Sequence, residues 1–203
     1  MTKVLIINGH QPFPTSPGRL NAAFCSNAQF FLENEDCVVR TINTSEPWDT
    51  DVQVEHQLWA DLILLQFPLN SMGLPWSLKK YLDKVYTAGM DGRLAKGDGR
   101  TRSDPRMQYG SGGCMQGRFY MLSVTCNAPE NAFSDPNQTL FAGRSLDDLL
   151  SPVHINFAFF ALSTLPTFAA FDVKKSPSIS TDFERFKALL GSNLARVRSE
   201  AFT

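Results

Sequence analysis

Apolar positions in this chain fall into short unbroken runs that alternate with stretches of helical spacing. Residues 4–7 are aliphatic, mostly β-branched and free of charge, the pattern of a strand buried on both faces of a parallel sheet. Asn8 and Gly9 stop that run, and Ser16, Pro17 and Gly18 then supply a hydroxyl, a fixed φ and a residue without Cβ. A helix is predicted after them through Leu20, Ala23 and Phe24. Residues 37–42 read as a second strand and 52–59 as a weakly amphipathic helix. Residues 61–67, bounded by Pro68, form the clearest buried strand, which belongs in the middle of a sheet. Pro75 opens a helix through Trp76, Leu78, Tyr81, Leu82 and Val85. Residues 119–124 resume the strand pattern, broken at 125–129. A helix over 145–162 is interrupted at Pro152, a fifth strand covers 166–171, and Asp182 starts a final helix through Phe186, Leu190 and Leu194.

Five strands alternating with helices predict an α/β fold: a doubly wound five-stranded parallel sheet with helices on both faces. A dinucleotide-binding order would need GxGxxG after the first strand, whereas Gly9 and Gly18 are separated by a proline-containing loop. The flavodoxin-like order 2-1-3-4-5 fits. In that order a ligand lies outside the carboxyl ends of the strands, so loops 9–19, 68–75 and 125–129 should converge. The first combines small residues with a helix N-terminus, where unpaired N–H groups and the macrodipole favour an anion. The other two could hold a flat ring such as a flavin, whose reduced form needs donors at its polar edge and apolar cover.

Composition narrows the partners. With 203 residues the chain suffices for one domain, spanning 1–203. A formal net charge of -1 with thinly spread Lys and Arg argues against a nucleic-acid binder. No apolar run approaches the ~20 residues of a membrane span. Cys25, Cys37, Cys114 and Cys126 show no CxxC spacing, and a reduced, cytoplasmic protein is expected. His10, His56 and His154 lie far apart, so no metal site is expected. Residues 89–113 turn to Gly, Arg, Lys, Asp and Ser, a functional loop whose glycines at 110, 112 and 113 suggest a hinge or a close approach to ligand.

Taken together, KVLIINGHQPFPTSPGRLN, LWADLILLQFP, MGLPWSLKKYLDKVYTAG, DGRTRSDPRMQYGSGG, QGRFYMLSVTCNAPENAF and LPTFAAFDVKKSP give the chain a specific likeness. It resembles, almost end to end, the flavodoxin-like NADPH:quinone reductases of the modulator of drug activity B type, relatives of DT-diaphorase. The resemblance implies an FAD-dependent homodimer that takes hydride from NADPH onto flavin N5 and passes two electrons to a quinone. It assigns Ser16, Gly18, Arg19, Leu20 and Asn21, with Ala22 and Ala23, to the FAD phosphates and ribityl chain. Pro68, Leu69, Asn70 and Ser71 match one ring-binding turn, and Thr125, Cys126, Asn127 and Ala128 the other. Tyr109 matches a flavin-proximal tyrosine.

Departures fall at the ring. Where the family carries Pro-Gly-Trp-Trp-Met-Gly and Thr-Trp-Asn-Ala, this chain has Leu69, Asn70 and Ser71, and Cys126. Three indoles are absent, which implies a wider, more polar space over the flavin, filled in part by Phe67 or Phe133. Cys126 is either a redox thiol or a small packing residue, the second being favoured because no basic neighbour in sequence activates it. His154 is a candidate donor to a quinone oxygen. Arg100 and Arg102 are candidates for the 2′-phosphate of NADPH. Two other readings remain open at this point: a flavin-binding regulatory subunit with little turnover, and an FMN-dependent azo- or nitroreductase.

Overall fold

The computed structural model describes residues 1–200. Strand β1 (Lys3–Asn8) leads into α1 (Arg19–Asn34), β2 (Val38–Asn43) into α2 (Thr50–Trp59), and β3 (Leu62–Pro68) into α3 (Trp76–Ala88). After a long connection come β4 (Phe119–Thr125), α4 (Leu146–Leu149), α5 (Ser151–Phe159), β5 (Ser163–Thr164), β6 (Phe168–Ala170) and α6 (Ile179–Glu200).

The strands run in the order β2-β1-β3-β4-β5, every pairing parallel. This is the expected flavodoxin-like order. The fifth position differs in detail from the predicted strand over 166–171, because two short pieces, β5 and β6, share the same edge of β4. Tyr120 pairs with Thr164 and Ser123 with Phe168, so Leu165, Pro166 and Thr167 span only Met121 and Leu122. One extra residue, with Pro166 lacking an N–H, makes a bulge there.

Alternation along the strands divides the core. Val4, Ile6, Leu62, Leu64, Phe119 and Met121 pack with α1 and α6. Leu5, Ile7, Ile63, Leu65, Leu122 and Val124 pack with the α2, α3 and α5 side. Both faces are covered, which is why strands of period two read as continuous apolar runs. On the first side Phe24 lies 4.6 Å from Phe183, 5.1 Å from Phe186 and 5.4 Å from Phe168 between ring centres, locking α1 to α6 and the sheet. On the second, Gln53, Gln57, Tyr81 and Tyr86 satisfy one another between α2 and α3.

Helix boundaries follow local chemistry. Asp49 caps α2 by accepting from the Val52 amide. The predicted helix around Pro152 breaks at Leu150, leaving Pro152 in the first turn of α5, where its missing N–H costs nothing. Helix α6 begins a turn before Asp182, which is buried and paired with Arg185 at 2.9 Å.

The segment 89–113 is less open than its composition suggests. Leu94 and Ala95 are fully buried, and the Lys96 amide donates to Gly112, the Gly110 amide to Asp98 and the Cys114 amide to Leu94. The glycines allow close approach of the chain to itself. A Cβ at Gly113 would stand 2.4 Å from the Phe160 carbonyl carbon, and one at Gly112 2.4 Å from the Gly97 oxygen.

Candidate active site

Residues 9–18 lead from the carboxyl end of β1 to the start of helix α1. Its N-cap is Gly18, in left-handed conformation at φ 86°, with no side chain capping the helix and no acidic residue in the first turn. The first-turn N–H groups thus meet no carboxylate or hydroxyl from their own helix end, and Arg19 makes no ion pair among the described residues. Such an end suits an anion. The loop before it is folded back, with reciprocal hydrogen bonds between the backbones of Phe13 and Ser16.

Two turns follow the neighbouring strand ends. Asn70 and Gly73 exchange backbone hydrogen bonds, closing a turn whose central residues, Ser71 and Met72, have φ 47° and 62°. Positive φ at two non-glycine residues is a local cost of the kind found at functional sites. The Leu69 amide donates to Thr125, which ties this turn to the end of β4. Beyond β4 the Cys126 amide donates to Ala170, and the Asp172 and Val173 amides donate back to Ala128 and Cys126. The amides of Ser71, Asn127 and Ala128 find no acceptor among the described residues. They are fixed donors in the turns after β3 and β4, suited to the polar edge of a ring.

A buried chain of side chains joins the helix end to both strands. The Ser123 hydroxyl donates to Gln66 Oε1 at 2.6 Å, Gln66 Nε2 donates to Asn21 Oδ1 at 2.9 Å, and the Thr125 hydroxyl donates to the same oxygen at 3.3 Å. All four residues are at most 4 % exposed. Behind the turn at 70–73 a cavity of about 390 Å³ opens between α3 and α5, with mainly aliphatic walls from Met72, Leu74, Leu82, Leu149 and Val153.

Residues 2–191 match the model of a family described by its flavodoxin-like fold. The chain belongs to this flavodoxin-like family. Among its relatives, an uncharacterised protein of Schizosaccharomyces pombe is 39 % identical over 87 % of this chain and 89 % of its own. The NADPH:quinone oxidoreductase MdaB of Haemophilus influenzae is 35 % identical, over 92 % of this chain and 96 % of its own. A crystal structure of a candidate quinone reductase from Klebsiella pneumoniae superposes with a TM-score of 0.73 at 21 % identity, covering 96 % of this chain and 84 % of that one.

Within this family fold the sequence-predicted residues divide. Ser16, Gly18, Arg19, Leu20, Asn21, Ala22 and Ala23, the turn from Pro68 to Ser71, and the turn from Thr125 to Ala128 all stand at the carboxyl edge. Tyr109 does not join them within one chain. It is 66 % exposed and packs on Phe159, 5.6 Å between ring centres, at the end of α5 remote from Met72. His154 also lies apart: its Nδ1 meets the Tyr120 hydroxyl at 2.7 Å and its Nε2 meets Asp147 at 3.2 Å. Tyr120 is five residues before Thr125 along β4, about 16 Å away at the strand rise. Both imidazole nitrogens are engaged within the chain, which sets His154 apart from the turns after β3 and β4.

Arg100 is held by Asp98 and lies over the Tyr109 ring, while Arg102 is exposed, with no partner among the described residues. Phe67 is wholly buried in the core, and Phe133 stacks on Phe141 at 4.3 Å, so neither ring stands free. Burial pushes the Cys126 thiol up to about 11, and its Sγ donates to Ala128, which favours packing over redox chemistry.

Sequence reasoning missed four residues. His10 is 4 % exposed and supports the loop from beneath, its Nε2–H donating to the Ser16 carbonyl at 3.0 Å. Gln66 and Ser123 sit inside runs that read only as buried strand, and polar residues in such runs were the available signal. Asp172, at φ 49° behind Cys126, carries a buried Oδ1 with no hydrogen-bond partner among the described residues.

Proposed function

We propose that this protein is a flavoenzyme that takes hydride from NADPH and passes two electrons to a quinone or related acceptor, with FAD as its cofactor. One observation carries the reading: an uncapped helix end free of acidic residues and two donor-rich turns occupy one edge of the sheet. Likeness over nearly the whole chain to an NADPH:quinone oxidoreductase supports it.

The first-turn amides from Gly18 to Asn21, with Arg19, would bind the phosphates, and Ser16, Ala22 and Ala23 would flank them. The turn at Pro68, Leu69, Asn70 and Ser71 and the turn at Thr125, Cys126, Asn127 and Ala128 would flank the ring, their free amides facing its polar edge. The flavin supplies the two-electron chemistry. The protein's part is placement: fixed backbone donors and exclusion of water from one ring face.

A homodimer accounts for Tyr109. In one chain it is exposed and lies at the wrong end of α5, and Ile155 on the same helix is 67 % exposed. A second copy over this face would bury both and bring Tyr109 to a neighbouring site. Four unpaired cysteines support a reducing, cytoplasmic setting.

Anaerobic addition of NADPH should bleach the yellow absorbance of the purified protein, and a two-ring quinone should restore it. Extraction of the flavin and chromatography against standards separates FAD from FMN. Protein that neither carries nor takes up flavin overturns the reading.

A further inference from the structure

We infer that Gln66, Ser123 and Thr125 are positioning residues that fix which end of the Asn21 amide faces the cofactor, so that the phosphate-binding helix and the ring turns are set by one hydrogen-bonded chain. This rests on the flavin reading above.

Gln66 has a carbonyl acceptor at one end of its amide and two donors at the other. Its Oε1 accepts from the Ser123 hydroxyl, and its Nε2, at the other end of the amide, faces α1 and donates to Asn21. Asn21 Oδ1 then receives two donors, from Gln66 on β3 and Thr125 on β4. The Asn21 amide is thereby oriented with its oxygen toward the sheet and its NH₂ away from it. That NH₂ has no hydrogen bond to any described residue, yet it is not among the polar atoms sealed from solvent. It belongs to the third residue of α1, in the same turn whose backbone donors are uncapped. A donor held there adds to the anion site, whereas a rotated amide would present a carbonyl oxygen to the phosphate.

The same chain bolts separate elements together. Gln66 accepts the Gly9 amide at 2.8 Å on its backbone oxygen, and Thr125 accepts the Leu69 amide at 2.9 Å on its own. The loop after β1, the turn after β3 and the end of β4 therefore share the residues that orient Asn21. In a dry environment such a network is stiff only while each member is satisfied.

Four substitutions test this on protein stripped of flavin and reloaded with FAD. Asn21→Asp keeps an oxygen acceptor for Gln66 and Thr125 but replaces the outward NH₂ with a carboxylate oxygen. FAD affinity should fall at least about tenfold, the scale of a lost hydrogen bond to a charged group, with little change in Tm. Gln66→Met keeps the shape and removes both ends of the link; affinity should fall roughly threefold to tenfold, and the ³¹P resonances of bound FAD should shift. Thr125→Val should reproduce part of that shift and Thr125→Ser should restore it. Wild-type FAD affinity and unchanged ³¹P resonances in Asn21→Asp and Gln66→Met overturn the inference. So does a large loss of Tm in Asn21→Asp, which would mean that Asn21 donates to the sheet instead. A wild-type protein that does not take up FAD defeats the flavin reading itself, a result distinct from variants that bind as well as the wild type.

Discussion

Gly18 is held so close to His10 that a Cβ on the glycine would stand 2.3 Å from the imidazole Nδ1. The glycine also sits at φ 86°, where an L side chain costs about 1–2 kcal/mol before any clash. The imidazole is therefore the floor on which the loop before α1 folds. Gly18→Ala should lower Tm and remove bound flavin together. Absorbance spectra and thermal melts of the purified variant check both, and a variant that retained its flavin would separate the loop from the cofactor.

The floor is sensitive to pH. Burial holds His10 below the ordinary imidazole value of 6.5, with its hydrogen bond to Ser16 opposing, and burial together with Arg40 does the same for His56. The unfolded chain then binds more protons than the folded one between the lowered and the ordinary values. The stability these residues supply is complete above 6.5 and is lost as pH falls below it. Denaturant midpoints from pH 7.5 down to 5 should decline, and His10→Asn should make the decline shallower without abolishing it, because His56 remains.

The ring turn carries Asn70 and Ser71 on a backbone with positive φ at Ser71 and Met72. An indole at position 70 adds an aromatic surface worth about 0.5–1.5 kcal/mol beyond its burial. Asn70→Trp should therefore shift the acceptor preference toward small two-ring quinones by roughly twofold to tenfold in kcat/KM. Equal kcat/KM for such a quinone in the two proteins would remove Asn70 as a determinant of acceptor choice.

Cys126 should be chemically quiet. With its thiol pushed up to about 11 and 3 % of its surface exposed, it should resist iodoacetamide at pH 8 in the folded protein and react after unfolding. Peptide mapping by mass spectrometry reads this directly. Rapid native alkylation at Cys126 would contradict the packing role.

Phe24 is wholly buried where α1, α6 and β6 meet. Phe24→Ala should cost about 3–5 kcal/mol, a fall in Tm of roughly 6–20 °C for a domain of this size. Folded variant protein at 20 °C should still take up flavin, since the aromatic partners of this ring, Phe168, Phe183 and Phe186, lie in β6 and α6.

The sequence by itself determined the sheet. Uncharged runs at 4–7, 61–67 and 119–124 could be buried only on both faces, and the helical spacing between them left a doubly wound order as the arrangement. It also determined which loops meet, because strand direction places every β-to-α loop on one edge. Its family likeness was legible in contiguous motifs. Only the tertiary structure decided what supports those loops. Gln66 and Ser123 lie in different strands, and Asn21 on a helix, so the hydrogen bonds that join them exist only after the register of β3 and β4 is set. The fifth strand split because one surplus residue and Pro166 could not continue the pairing, a fact of register that local pattern does not carry. His154, four residues beyond Leu150 in sequence, went to Tyr120 rather than to the ring turns because α5 packs toward the edge strand. Tyr109 went to Phe159 for the same reason: a loop anchored at Leu94 and Gly113 can reach only the face on which its anchors lie.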